Sequence, residues 1–123
     1  MDASLYPPNA ILFVFDLSNK SVEVPEYIDD VLTAGNKSCV SIGTQADVDG
    51  EVLVKLQNPV SSPEKGKYQL VFQGTIDTPG KKIAVVTAEF DKVLEKDVRG
   101  RKTDTSIWVD DLNHPSMILV EAD

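Results

Sequence analysis

Apolar side chains recur at every second position over much of this chain, and this period constrains the fold more than any other feature. One series covers residues 40–48, a second covers 52–56, and a third begins at Tyr68. Successive side chains of a β-strand point to opposite faces, so this period predicts strands with one face in a hydrophobic core. Ile11–Phe15 is instead a continuous apolar run, which is typical of a buried strand. These segments and the turn residues between them predict about eight short strands.

One segment has the signals of a helix. Pro25 fits a first helical position and Gly35 fits a C-terminal cap, so residues 25–34 are predicted to form about three helical turns. Ile28 and Val31 would share the buried face of this helix.

These elements fit one domain covering residues 1–123, since 123 residues is an ordinary domain length. We predict an all-β fold: a two-sheet antiparallel β-sandwich of about eight short strands with one short helix. The alternative is an α+β fold, which would follow if residues 91–98 are helical.

A hairpin is predicted between the first two alternating series. Asp49-Gly50 is a turn signal, and a three-residue loop with a bulge would keep both series on the same face. Asp47, Asp49 and Glu51 would then crowd at the hairpin tip.

The acidic residues at the predicted hairpin tip also raise the question of calcium binding. In the frame of an EF-hand loop, Gln45 takes position 1 and Leu56 takes position 12, so the bidentate carboxylate is missing. We therefore predict no metal site and no cofactor, and keep a calcium-binding or ligand-binding module as an alternative function.

The chain is strongly acidic, with 20 Asp and Glu against 12 Lys and Arg and a formal net charge of −8. Because 41% of the residues are hydrophobic, this charge belongs to the surface of a folded protein and not to a disordered tail. It would attract a cationic partner and repel nucleic acid. The basic loop Arg99–Lys102 is interpreted as a solvated turn, with partner contact as the alternative.

Candidate partner-binding residues follow from the acidic clusters and from the single tryptophan. Trp108 is interpreted either as a core residue or as an aromatic anchor beside an acidic pair. The helix dipole can explain Asp29 but explains Asp30 less well. The predicted partner-binding residues are Trp108, Asp110, Asp111, Asp29, Asp30, Asp47, Asp49 and Glu51.

Residues for catalysis are scarce. The chain has one histidine, His114, and one cysteine, Cys39. A Cys–His dyad would require a strand-buried thiol to meet a histidine in a turn. The sequence also contains no Gly-rich phosphate loop or nucleophile elbow. We predict that the protein is not an enzyme.

The sequence also indicates a compartment. No basic region precedes the apolar run Ile11–Phe15, which stops at Asp16, so neither a signal peptide nor a membrane span is expected. Cys39 alone cannot form an internal disulfide, which suits a reducing compartment. We predict a cytoplasmic protein.

Four segments carry a resemblance to a known family: Ile28-Asp29-Asp30-Val31-Leu32-Thr33-Ala34-Gly35, Val40-Ser41-Ile42, Val52-Leu53-Val54-Lys55-Leu56 and Gly66-Lys67-Tyr68-Gln69-Leu70. With these segments, the order of elements in residues 11–89 resembles the competence-protein J type of nuclease inhibitor. The resemblance covers about two-thirds of the chain and is a similarity of pattern, not of a diagnostic motif.

The resemblance implies a bacterial immunity or inhibitor protein that binds a cognate toxin, most concretely a nuclease domain, in a one-to-one complex. Such a protein would block the active site or the substrate surface of its partner. The alternative that belongs to another class is a self-assembling structural protein.

Overall fold

The computed structural model describes residues 1–26, 31–58 and 66–123. Strands make up 52% of the chain and helical residues 6%, which confirms the predicted all-β class. The described residues form ten strands: β1 (Asp2–Leu5), β2 (Ile11–Phe15), β3 (Thr33–Gly35), β4 (Cys39–Gly43), β5 (Val52–Gln57), β6 (Gln69–Asp77), β7 (Lys82–Thr87), β8 (Lys92–Asp97), β9 (Lys102–Val109) and β10 (Met117–Ala122). Pro8–Ala10 and Asp47–Asp49 are short 3-10 turns. The described segments contain no helix with the length and hydropathy needed to cross a bilayer.

The strands are arranged in two five-stranded sheets. The first has the order β1-β5-β10-β9-β6 and the second has the order β3-β4-β2-β7-β8. The predicted two-sheet sandwich is therefore confirmed. One pair departs from the antiparallel prediction, because β10 runs parallel to β5 with Met117 opposite Leu53. The hairpin with β9 fixes the direction of β10, and β5 occupies its free side.

The two sheets share one hydrophobic core. Alternate side chains of β5 (Val52, Val54, Leu56) are buried in it, as the period of two predicts. They pack with inward-facing residues of the other sheet, including Leu12 and Val14 of β2. Each fully buried aliphatic side chain contributes about 1.5–3 kcal/mol relative to an exposed one.

The predicted hairpin between residues 40–48 and 52–56 is wrong. β4 lies in one sheet and β5 in the other, so residues 44–51 cross between the sheets. Backbone bonds fix this crossing: Thr44 N donates to Ala10 O at 2.9 Å, and Gln45 N donates to Pro115 O at 2.9 Å. A period of two identifies the side chains that face the core, but both sheets face the same core.

The predicted helix over residues 25–34 is also wrong in its described part. Thr33–Gly35 is strand β3, which pairs with β4, and residues 25–26 and 31–32 are not helical. Residues 27–30 lie outside the described ranges. A Cβ on Gly35 would lie 3.1 Å from the ring of Phe72, which belongs to the other sheet. Close packing between the two sheets therefore explains this glycine, and the residues near Gly35 in the sequence do not indicate that packing. The α+β alternative is excluded at residues 92–97, which form β8.

A buried carboxylate joins two turns at one end of the sandwich. Asp16 is fully buried after β2. Its Oδ1 accepts hydrogen bonds from the N–H and the hydroxyl of Ser18 at 2.8 and 2.7 Å. Its Oδ2 accepts one from Gly80 N at 2.7 Å, in the turn between β6 and β7.

Candidate functional site

The turns at one end of the sandwich bring most of the predicted acidic residues together. β4 and β7 end beside the start of β2, since Leu12 pairs with both Ile42 and Thr87. The bond from Gln45 N to Pro115 O joins the turns of the two sheets at this end. We call residues 6–10, 44–51, 88–91 and 110–116 the acidic end. It contains Asp47, Asp49, Glu51, Glu89, Asp91, Asp110 and Asp111.

Few basic residues balance these carboxylates. The four described ranges of the acidic end contain no Lys or Arg, and Lys67, before β6, and Lys92, at the start of β8, lie beside them. The ammonium group of Lys92 already pairs with Glu95 at 3.4 Å. The acidic end therefore concentrates the negative charge of the chain.

The opposite end of the sandwich, formed by residues 16–21, 36–38, 78–82 and 98–102, has a different charge balance. It contains Lys20, Lys37, Lys81, Lys82, Arg99, Arg101 and Lys102. Carboxylates are present at or beside this end too: Glu23 and Asp77 line a pocket with Lys37 and Arg101, and Asp123 pairs with Arg99. Asp16 is buried and hydrogen-bonded within the protein, so Lys and Arg still outnumber the exposed carboxylates here. The charge of the molecule is therefore separated along the strands, and the sequence did not reveal this because the turns at one end are far apart in the chain.

The acidic end also exposes large apolar side chains. Val48 is 87% exposed, Phe90 54% and Leu112 49%. Each is next to acidic residues in the sequence: Asp47-Val48-Asp49, Glu89-Phe90-Asp91 and Asp111-Leu112. Our sequence reasoning missed these three residues. The available signal was an apolar residue beside a carboxylate in a turn, where the core does not need it.

Phe90 has an uncommon backbone. Its φ is 63°, in the left-handed region that usually takes glycine. Its ring stacks on Phe13 with a centroid distance of 6.1 Å and lies edge-on to Phe15 at 6.4 Å. Phe90 thus covers the outer face of the second sheet while about half of its surface stays in solvent.

Asp110 and Asp111 organise the turn between β9 and β10. Asp110 accepts three hydrogen bonds, from Ser116 N at 3.0 Å, from Ser116 Oγ at 2.6 Å and from Met117 N at 3.0 Å, so both of its oxygens are occupied. Asp111 Oδ1 accepts from Asn113 N at 2.8 Å and from His114 N at 3.2 Å. These bonds to backbone N–H groups hold the pKa of Asp111 below its usual range.

The structure bears on the two interpretations of Trp108, as a core residue or as an aromatic anchor for a partner. Trp108 is 8% exposed on the outer face of the first sheet, where it packs with Leu119, Tyr68 and Met117. This burial agrees with the core interpretation. Its role in partner binding is still a prediction.

The other predicted partner residues differ in what the structure describes. Asp49 and Glu51 are exposed at the acidic end. Asp47 belongs to the 3-10 turn that begins there. Asp29 and Asp30 lie outside the described residues, so their position stays a prediction.

A groove of about 620 Å³ opens beside the acidic end. The starts of β2 and β3 and the 111–114 turn border it, with Ile11, Leu32 and Leu112 among its apolar lining. Glu26 and Asp111 supply carboxylates. Among the described lining residues there is no Lys or Arg. The groove therefore combines apolar surface with negative charge.

Groups that could support catalysis or metal binding are separated. Cys39 is buried at the end of β4 that pairs with Phe15, and burial raises the pKa of its thiol to about 12. His114 is exposed at the acidic end, whereas Cys39 lies at the opposite end of the sandwich. In the ranges 1–26, 31–58 and 66–123, no three His, Cys, Asp or Glu side chains form a group that could hold a metal ion.

Comparison with known proteins gives one informative result. The sequence matches no protein-family model and no curated protein. The fold is similar to the crystal structure of ComJ, inhibitor of the DNA-degrading activity of NucA, from Bacillus subtilis. The TM-score is 0.72, with 14% sequence identity, and the match covers 99% of this chain and 93% of ComJ. The resemblance expected from the sequence is thus confirmed for the fold, and it extends into the C-terminal third.

Proposed function

We propose that this protein is an inhibitor, or immunity protein, that binds a cationic nuclease domain in a one-to-one complex. The observation that carries the proposal is the likeness of fold to ComJ over 99% of the chain. The net charge of −8 is independent support, since it depends on composition and not on fold.

The proposed mechanism is occupation of the phosphate-binding surface of the nuclease. Nucleases hold phosphate with Lys, Arg or a metal ion, so their substrate surface favours negative charge. The carboxylates of the acidic end would take the place of phosphates there. Complementary charge would speed association, and a few desolvated contacts would supply most of the affinity. Such an inhibitor needs no catalytic residues of its own. We propose that it acts in the bacterial cytoplasm, where it would protect the producing cell.

The partner-binding residues inferred from the sequence belong to this proposal. Asp49, Glu51 and Asp111 are exposed at the acidic end and suit direct contact. Asp47 adds an acidic residue to the same end, and Asp29 and Asp30 add to the charge of the chain. Asp110 and Trp108 have structural contacts that would preorganise the neighbouring surface.

The proposal predicts that a nuclease is encoded beside this gene, and the test is inhibition of that nuclease. The purified nuclease would digest linear DNA with increasing amounts of this protein, at a nuclease concentration well above the dissociation constant. We expect activity to fall linearly to zero at an equimolar ratio. A folded, unrelated protein of similar net charge is the control for non-specific effects of acidity. Full digestion in a large molar excess of this protein would contradict the proposed function.

A further inference from the structure

We infer that the acidic end, together with the groove beside it, is the docking surface for the basic, phosphate-binding face of the nuclease. This inference rests on the proposed function and adds to its carboxylates the groove and the exposed apolar side chains that anchor the partner. The occupant is a surface rich in Lys and Arg, which the charge of this end favours.

The first argument is the separation of charge. The turns of the acidic end carry carboxylates in both sheets, whereas Lys and Arg gather in the turns at the opposite end. A cationic partner would orient such a molecule during approach, so that the acidic end arrives first. Uniform acidity would give attraction without this orientation.

The second argument is the apolar surface at the same end. Val48, Phe90 and Leu112 are each about half exposed or more and are next to carboxylates. Lys and Arg have long aliphatic stems that pack on apolar surface while their charged heads reach carboxylates. A surface that alternates apolar and acidic groups matches both parts of these side chains.

The third argument is the form of the groove. Leu112 and Asp111 lie side by side in its lining, and Val31, 48% exposed, is another of its apolar residues. Asp111 is held in place through Oδ1, and its Oδ2 has no hydrogen-bond partner among the described residues. A cationic group could therefore bind a carboxylate that is already oriented, at a low cost in side-chain entropy.

Matched pairs of variants test the inference. Leu112→Ser removes an apolar side chain at the groove, and Leu17→Ser removes one that is 37% exposed at the opposite end. Asp111→Asn removes a charge but keeps an oxygen for the turn, and Asp97→Asn removes an exposed charge on the far edge strand β8. Val48→Ser is a second apolar test in another turn. Circular dichroism and thermal melts would verify that each variant is folded.

Binding to the neighbouring-gene nuclease would be measured by calorimetry. We expect Leu112→Ser to raise Kd by about tenfold and Asp111→Asn by about three- to tenfold, with changes below about twofold for Leu17→Ser and Asp97→Asn. Equal effects in each pair, with wild-type inhibition intact, would overturn the docking surface and leave the proposed function standing. Wild-type protein that does not bind the nuclease would contradict both the docking surface and the proposed function.

A second copy of this chain is the competing occupant. Sedimentation of the wild-type protein alone is expected to give a monomer. A dimer that Leu112→Ser dissociates would show that the acidic end is a self-association surface, which would overturn the inference.

Discussion

Removal of the Asp16 carboxylate should destabilise the protein more than removal of any exposed carboxylate. Asp16 accepts three hydrogen bonds in a fully buried position and joins the end of β2 to the turn before β7. Hydrogen bonds to a charged group contribute about 1.5–3 kcal/mol each. Ser18 and Gly80 are exposed residues, so water can replace part of this loss. We expect Asp16→Ala to lower the free energy of unfolding by about 3 kcal/mol.

Asp16→Asn separates shape from hydrogen bonding. One side-chain oxygen can still accept from Ser18, but the amide nitrogen would face the N–H of Gly80, donor against donor. We expect a loss of about 2 kcal/mol. Gly80→Ala tests the same contact from the other side, because the new Cβ would lie 1.9 Å from Ser18 Oγ. That hydroxyl must move and give up its bond to Asp16.

Urea unfolding followed by tryptophan fluorescence would measure these losses, as shifts of the midpoint at constant m-value. Asp104→Asn is the matched control, since Asp104 is exposed and its carboxylate accepts one bond, from Thr75 Oγ1 at 3.0 Å. Its effect should stay within about 0.5 kcal/mol. If the Asp16 variants lower the free energy of unfolding no more than this control, the hydrogen bonds of Asp16 to the two turns do not stabilise the fold.

Three further predictions concern single side chains. The buried thiol of Cys39, with a pKa of about 12, should not react with a disulfide reagent at pH 8 until urea unfolds the protein; rapid native labelling would contradict its burial. Phe90→Ala and Phe90→Gly both lose the stacking on Phe13, but glycine tolerates φ 63°, so the glycine variant should be more stable by about 1 kcal/mol in urea unfolding; equal stability would argue against backbone strain. The hydrogen bond from Arg99 lowers the pKa of Asp123 in the folded protein. The Arg99–Asp123 pair therefore stabilises the folded state at pH values above the ordinary carboxyl pKa. This stabilisation is lost as the pH falls through the lowered pKa of Asp123 in the folded protein. Arg99→Ala should raise the Asp123 midpoint in an NMR titration, and an unchanged midpoint would refute the pairing.

The sequence predicted the fold class because burial in a sandwich imposes a period of two. Val52, Val54 and Leu56 were assigned correctly to one inward face of a strand. The same period does not identify the neighbouring strand, since β4 and β5 alternate in the same way but belong to different sheets. The sheet assignment depends on contacts such as Gln45 N to Pro115 O, between residues distant in the chain.

The helix prediction shows a tertiary contact overriding local signals. Gly35 looked like a helix cap, yet it pairs with Val40 in β3–β4 and lies against the ring of Phe72. A three-residue strand such as β3 has little propensity of its own and depends on the partner that supplies its hydrogen bonds. Nothing near Gly35 in the sequence identifies that partner.

The candidate site was predicted in composition but not in arrangement. The acidic groups around Asp49 and Asp111 were recognised, whereas Leu112 and Phe90 were not, because an apolar residue in a β-rich sequence is usually assigned to the core. Their exposure follows from the turns in which they lie. The burial of Trp108 likewise depends on Leu119 and Tyr68, which belong to other strands or turns.

The most direct test of the central claim is the association rate constant with the neighbouring-gene nuclease, measured by stopped flow at increasing salt. The Debye length falls from about 30 Å at 0.01 M to about 10 Å at 0.1 M and about 3 Å at 1 M. If acidic steering brings this protein onto a basic nuclease surface, the rate constant should fall by about tenfold or more between low and high salt, while dissociation changes less. An association rate constant that does not depend on salt would contradict the account.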